Sequence, residues 1–297
     1  MIVLDFAFII WLVINAMRKK TIRPNLYHNL IIGTVICIIG VGTDLIRFSF
    51  FNSNGASGYT RIGVLVFAVM IGSYLFRERI RSLEEKNREN KELVSQIAEA
   101  FAKVIDVKDK YTNGHSMRVA KYTAMLAKEL GYDDDTVERY RNIALLHDVG
   151  KISIPTDILN KPGKLTDEEY ELVKSHTSNG YELLKDIKSI PDLAVGAQAH
   201  HERPDGKGYP NGLAGEDIPR VAQIIAIADC FDAMYSDRPY RRHLEFEKAV
   251  SIIKEVSGTQ LTPDVVDAFL RLVEKGEFKS TFDNEEGKRN SFDNADK

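Results

Sequence analysis

The 297-residue chain has only two cysteines, Cys37 and Cys230, far apart in sequence, so a disulfide framework is excluded. That scarcity fits a reducing compartment. Charge is nearly missing from the amino-terminal quarter. Residues 1–76 hold six basic and two acidic side chains, against 34 and 41 in the remainder. The acidic remainder has no basic block, which argues against duplex nucleic acid as a partner. No basic region precedes the first apolar run, so that run does not read as a secretory signal. Internal repeats are absent, and a composition of 44% apolar and 28% charged residues excludes a globally disordered chain.

What is present at the amino terminus is apolar. Runs at 1–17, 29–46 and 62–76 each approach the ~20 residues that cross a bilayer. They predict a three-span membrane domain over 1–76. Arg18, Lys19, Lys20 and Arg23 follow the first run, and Arg77 and Arg79 follow the third. By the positive-inside tendency, the chain after residue 76 faces the cytoplasm. The expected location is the inner (cytoplasmic) membrane, multi-pass, with the membrane itself as a partner.

Residues 77–105 read as a charged linker helix merging into the next domain. Ile80, Leu83, Asn87, Asn90, Val94, Ile97, Phe101 and Val104 recur at spacings of three and four, as the seam of a parallel coiled coil would. The expectation is a homodimer through this helix, set against a connector helix lying on its own domain. From 92 to 273 the apolar spacing is again mostly helical, with no regular recurrence of β-like segments. Residues 221–234, VAQIIAIADCFDAM, are apolar on most faces and predict the central buried helix. Segment 203–220 is a long loop with four glycines, and 274–297 is a polar tail.

Five of the seven histidines, His115, His147, His176, His200 and His201, fall within 87 residues. His147 directly precedes Asp148, and Asp229 interrupts the apolar run of the central helix. A carboxylate there is costly unless a metal, a cation or hydrogen bonds satisfy it. Imidazole and carboxylate together suit iron, manganese, zinc, cobalt or nickel, whereas magnesium and calcium prefer oxygen shells. Seven ligands exceed the needs of one ion, and two ions sharing a carboxylate fit the count better.

The stretches YTNGHSMRVA, LLHDVGKISIP, SHTSNGYELL, HHERPDGKGYP and IADCFDAMYSDRPYR occur in the order and approximate spacing of the HD-GYP domains. The chain resembles that family over residues 92–273. The family is a branch of the HD metal-dependent phosphohydrolases, and the resemblance implies an all-α, HD-type helical bundle following the three transmembrane helices and the linker. It also implies hydrolysis of cyclic di-GMP. By the resemblance, His115, His147, Asp148 and Asp229 look like the ligands of a first metal, with Asp148 bridging to a second held by His176, His200 and His201. Family sites often hold iron or manganese. Some members hold a third ion through a glutamate four residues before the first histidine; here that position is Tyr111, which argues for two.

A water acidified between two such ions would attack phosphorus in line, opening the ring to linear pGpG and leaving a second cut to GMP open. The resemblance makes Lys151 a catalytic cation near the scissile phosphate, and Arg238 and Arg241 a phosphate-binding pair. Gly208, Tyr209 and Pro210 would shape the metal pocket and offer a surface to signalling partners. Asp205 would orient a histidine or the loop. Alternatives of other classes are another cyclic dinucleotide or a phosphorylated nucleotide as substrate, and a membrane receptor that binds cyclic di-GMP without turnover.

Overall fold

The computed structural model describes residues 58–109, 114–236 and 243–278, with side chains from residue 65 onward. The chain divides into two compact units, Met1–Lys91 and Glu92–Lys297. Among the described residues every named element is helical, and the sole β feature is an isolated bridge between Ser257 and Leu261.

The first described helix, α1 (Gly58–Lys108), runs for 51 residues. In the second unit, α2 (His115–Glu129) starts directly after Gly114, whose φ of 72° turns the chain into the helix. Asp133 caps α3 (Asp134–Leu145) by accepting from the Thr136 amide at 2.7 Å. A 3-10 turn (Val149–Ser153) and the single turn α4 (Thr156–Leu159) lead to α5 (Asp167–Lys174), which opens on a capping box between Thr166 and Glu169. Then come α6 (His176–Leu184), α7 (Leu193–Ala199), a second 3-10 turn (Gly215–Asp217), α8 (Arg220–Tyr235), α9 (Phe246–Glu255) and α10 (Pro263–Glu274).

The apolar run 221–234 lies inside α8, where Val221, Ala222, Ile224, Ile225, Ile227, Ala228 and Phe231 are all buried. A helix apolar on most faces must be enclosed by others, and α8 packs on α2, α7, α9 and α10. The Phe231 ring meets Tyr122 of α2, Phe269 of α10 and Phe278 at centroid distances of 5.1 to 5.3 Å. Each such ring, fully buried, stabilises the bundle by roughly 1.5–3 kcal/mol. Gly150 permits a second close approach. A Cβ there would stand 1.8 Å from the His176 carbonyl oxygen, so the turn carrying Lys151 reaches α6 only because this residue has no side chain.

One sequence expectation is corrected. Run 62–76 is not an independent span: it is the first part of α1, and Arg77, Glu78 and Arg79 continue the same helix. Its 15 residues would cover about 22 Å, short of the ~30 Å hydrocarbon core. Among the described residues no helix is long and apolar enough to cross a membrane. The three-helix transmembrane architecture, the multi-pass inner-membrane location and the bilayer as partner are corrected on that finding. Runs 1–17 and 29–46 lie outside the described residues.

The linker helix also packs on its own domain. Along the expected homodimer seam, Leu83, Ile97, Phe101 and Val104 are each about half exposed or more, between 48% and 57%, a face left uncovered within the single chain. Ala98, Ala102 and Ile105 are buried in the domain's own core. Small side chains let α1 approach closely, and Arg141 of α3 ties it down by donating to Ser95 Oγ at 2.7 Å and to Glu99. The stripe covered within the chain carries less apolar bulk than the exposed one.

Candidate metal centre

Six of the seven residues expected as ligands stand at helix ends. His115 and His176 are the first residues of α2 and α6, His147 and Asp148 follow the end of α3, and His200 and His201 follow α7. Asp229 alone comes from the middle of a helix, α8. The bundle brings all seven together. His176, His200 and His201 form one group and His115, His147 and Asp229 a second, while His147, Asp148 and His200 form a third that joins them. Within each group the donor atoms lie within 4.8 Å of one another.

Asp148 is buried between the two outer groups. Its Oδ1 lies 3.4 Å from His176 Nε2 and 4.0 Å from His200 Nε2, and its Oδ2 lies 3.4 Å from His147 Nε2 and 3.9 Å from His115 Nε2. Each carboxylate oxygen therefore faces a different set of imidazoles.

The local backbone fixes which ring nitrogen is available. His147 Nδ1 donates to Ala144 O at 2.6 Å, His176 Nδ1 to Val173 O at 2.7 Å and His200 Nδ1 to Ala197 O at 2.8 Å. A carbonyl can only accept, so the proton of each neutral ring sits on Nδ1 and the Nε2 lone pair points into the centre. His147 Nε2 is buried without a hydrogen bond there. A lone pair aimed into a polar cluster and left unsatisfied is what a metal ligand leaves when its ion is set aside, and the donor set of imidazole and carboxylate fits a pair of divalent cations.

Electrostatics keep most of these imidazoles neutral. Burial pushes His176 and His200 down, His200 well below the usual imidazole range, and takes His201 to about 4. His115 behaves oppositely. Burial opposes its charge, but hydrogen bonds to Asp229 and Asp232 outweigh that and push it up to about 10. Burial likewise opposes charge on Asp148, yet the Lys151 ammonium beside it holds its carboxyl well below the usual carboxylate range. Lys151 Nζ lies 2.7 Å from Asp148 Oδ2 and 3.0 Å from Asp109 Oδ2, and these carboxylates hold it charged despite burial.

Four buried carboxylates escaped the sequence reading: Asp109, the second partner of Lys151, and Asp232, Asp106 and Glu202. Asp232 accepts from His115 Nδ1 at 2.7 Å and from Arg118 Nε at 2.6 Å. It fixes the ring so that His115 Nε2 faces Asp229 Oδ1 at 3.2 Å. The available signal was its spacing of three from Asp229 on an otherwise apolar helix. Asp106 accepts from Ser116 Oγ at 2.8 Å, beside the start of α2. Glu202 accepts from the Asn211 and Leu213 amides at 2.7 and 2.9 Å.

Glu202 thereby pins the far side of the turn formed by Gly208, Tyr209 and Pro210. Gly208 is pressed against the chain that carries the histidine pair: a Cβ on it would meet the Glu202 Cα and the Arg203 nitrogen at 2.5 Å. The Tyr209 ring stacks on His201 at 4.8 Å and 30°. Asp205 points to the loop and to no histidine, accepting from Arg203 Nη2 at 2.6 Å and from the Lys207 amide at 3.1 Å. Arg238, Arg241 and Tyr111 lie outside the described residues.

Residues 99–265 match the HD domain family model. The chain is 42% identical over 168 residues to the 3′3′-cGAMP-specific phosphodiesterase 3 of Vibrio cholerae serotype O1, a match covering 57% of this chain and 36% of that protein. It is 40% identical over 195 residues to a cyclic di-GMP phosphodiesterase of Thermotoga maritima, covering 65% of this chain and 53% of the relative. The chain thus spans about half or less of the length of these curated relatives.

Proposed function

We propose that this chain, which belongs to the HD domain family, is a metal-dependent phosphodiesterase that hydrolyses cyclic di-GMP to linear pGpG. The observation that carries the reading is the division of labour at Asp148, one oxygen toward His176 and His200 and the other toward His115 and His147. His115, His147 and Asp229 would hold one cation and His176, His200 and His201 the other, with Asp148 shared. The mixed nitrogen and oxygen donors favour iron or manganese over magnesium or calcium. When bound, such a pair supplies Lewis acidity toward water and toward phosphoryl oxygens.

The chain's own groups supply the remainder. Backbone carbonyls of residues 144, 173 and 197 lock three imidazoles in the tautomer that offers Nε2. Tyr209 covers one face of His201 and narrows access to it. Lys151 brings a charged ammonium to the shared carboxylate, where it can meet a phosphoryl oxygen as negative charge grows there. Arg238 and Arg241 would add a basic pair for the second phosphate. Net reaction adds water across one P–O3′ bond, with the 3′ oxygen leaving as a hydroxyl; a second hydrolysis would give GMP.

A second reading, 3′3′-cGAMP as the preferred substrate, draws on the 42%-identical relative whose name carries that specificity. The full chain, loaded anaerobically with Fe(II) or Mn(II), distinguishes the two in parallel assays with both cyclic dinucleotides. The expected result is linear dinucleotide from cyclic di-GMP at the higher kcat/KM. Protein that holds two equivalents of metal and linearises neither would overturn the proposed activity.

Asp232 gives a prediction of its own. Asp232→Asn weakens the acceptor that orients His115 Nδ1, and loss of such an outer partner costs about 10–100-fold in metal affinity. Competition against a chelator should show that loss in the more weakly held equivalent. Unchanged affinity would mean that Asp232 does not set the orientation of His115.

A further inference from the structure

From the second histidine group a column of side chains leads outward to the surface of α5. His201 stacks on Tyr209, Lys174 Nζ lies 5.6 Å from the Tyr209 ring centroid, and the same ammonium lies 5.3 Å from the Tyr170 centroid. Lys174 sits two residues before His176 and also pairs with Glu171, which holds its ammonium on this helix. Tyr170 ends the column with half of its surface, 50%, in solvent. None of the chemistry assigned above uses it.

The exposed ring needs a reason. Helix α5, DEEYELVK, buries none of its side chains, so Tyr170 is not a core residue displaced to the surface. A lone surface aromatic would be unremarkable. This one shares the Lys174 ammonium with a ring that itself stacks on a histidine of the centre, which ties its position to that centre. A half-exposed ring beside a phosphate-binding centre suits stacking with a nucleobase, which every base accepts through its π-face.

We infer that Tyr170 is the platform on which one purine base of the cyclic dinucleotide stacks, with Lys174 as the positioning residue that bridges it to Tyr209. The inference rests on the proposed activity. It also implies tolerance at this base, since stacking does not distinguish guanine from adenine by hydrogen bonds.

The test uses the full chain with both cations loaded. Tyr170→Leu should raise KM for cyclic di-GMP by about 10-fold or more, the loss of one stacked base, while kcat and metal content stay at wild-type levels. Tyr170→Phe should restore the wild-type KM, because the ring survives. A phosphorothioate-linked cyclic di-GMP, which resists hydrolysis, should bind the leucine variant more weakly by the same factor in calorimetry. Wild-type KM and binding in Tyr170→Leu would overturn the inference and leave the proposed activity standing, and so would metal loss in that variant or a phenylalanine variant as impaired as leucine. Metallated wild-type protein that cleaves no cyclic dinucleotide would instead remove the proposed activity, and this inference with it.

Discussion

Asp148→Asn is expected to abolish measurable turnover and to reduce the metal content from two equivalents per chain to one or fewer. The substitution is isosteric, so packing around a residue 4% exposed is preserved. What changes is charge and donor type. The amide presents a single oxygen, so it cannot offer an anionic oxygen to both His176 and His147 sides. Lys151 loses one carboxylate partner but keeps Asp109 at 3.0 Å, so its ammonium is not stranded and the fold should persist. That separation matters, because removing one partner of a fully isolated buried pair would destabilise the domain and obscure the chemistry. Elemental analysis on the same preparation used for single-turnover assays decides the matter. A variant that keeps two equivalents and loses less than about 10²-fold in rate would contradict the shared-ligand role.

The bundle and the centre were readable from sequence to different depths. The histidines and Asp229 declared themselves because each is chemically expensive or unusual where it stands, and because their neighbouring motifs were long. Helix α8 was legible because nearly every residue from Val221 to Met234 is apolar, a pattern that leaves no face for water. Asp232 was not legible, although it lies in the same run. Its meaning depends on His115, 117 residues earlier, and no local pattern reports that proximity. The same limit applies to Glu202, whose partners are backbone amides nine and eleven residues on.

The amino-terminal half of α1 misled for a different physical reason. A run such as 62–76 reports that side chains are apolar, not what surrounds them, and its length fell several residues short of the hydrocarbon thickness. At the other end of α1, Ala98, Ala102 and Ile105 enter the domain's core without a sequence signal, because two alanines carry little hydrophobicity beside Ile97, Phe101 and Val104. Close helix approach favoured the smaller residues. Burial was decided by fit to α3 and its Arg141, which is tertiary information.

Lys151→Met should lower kcat by about 10²–10³-fold while both metal equivalents remain, the size expected for removing one preorganised charge from a reacting centre. The reasoning starts from hydrogen-bonding capacity. An ammonium has three donors, and Asp148 and Asp109 take two of them at 2.7 and 3.0 Å. The remaining donor belongs to a side chain 15% exposed, with the shared carboxylate beside it. Methionine keeps much of the stem's volume, so the turn held against α6 by Gly150 need not move. If Lys151 served merely to neutralise the two carboxylates, removing its charge would strengthen metal binding at Asp148 and leave the rate within about tenfold of wild type. A steep fall in kcat at unchanged metal content, with KM little altered, therefore separates a group acting on the transition state from one that only balances charge.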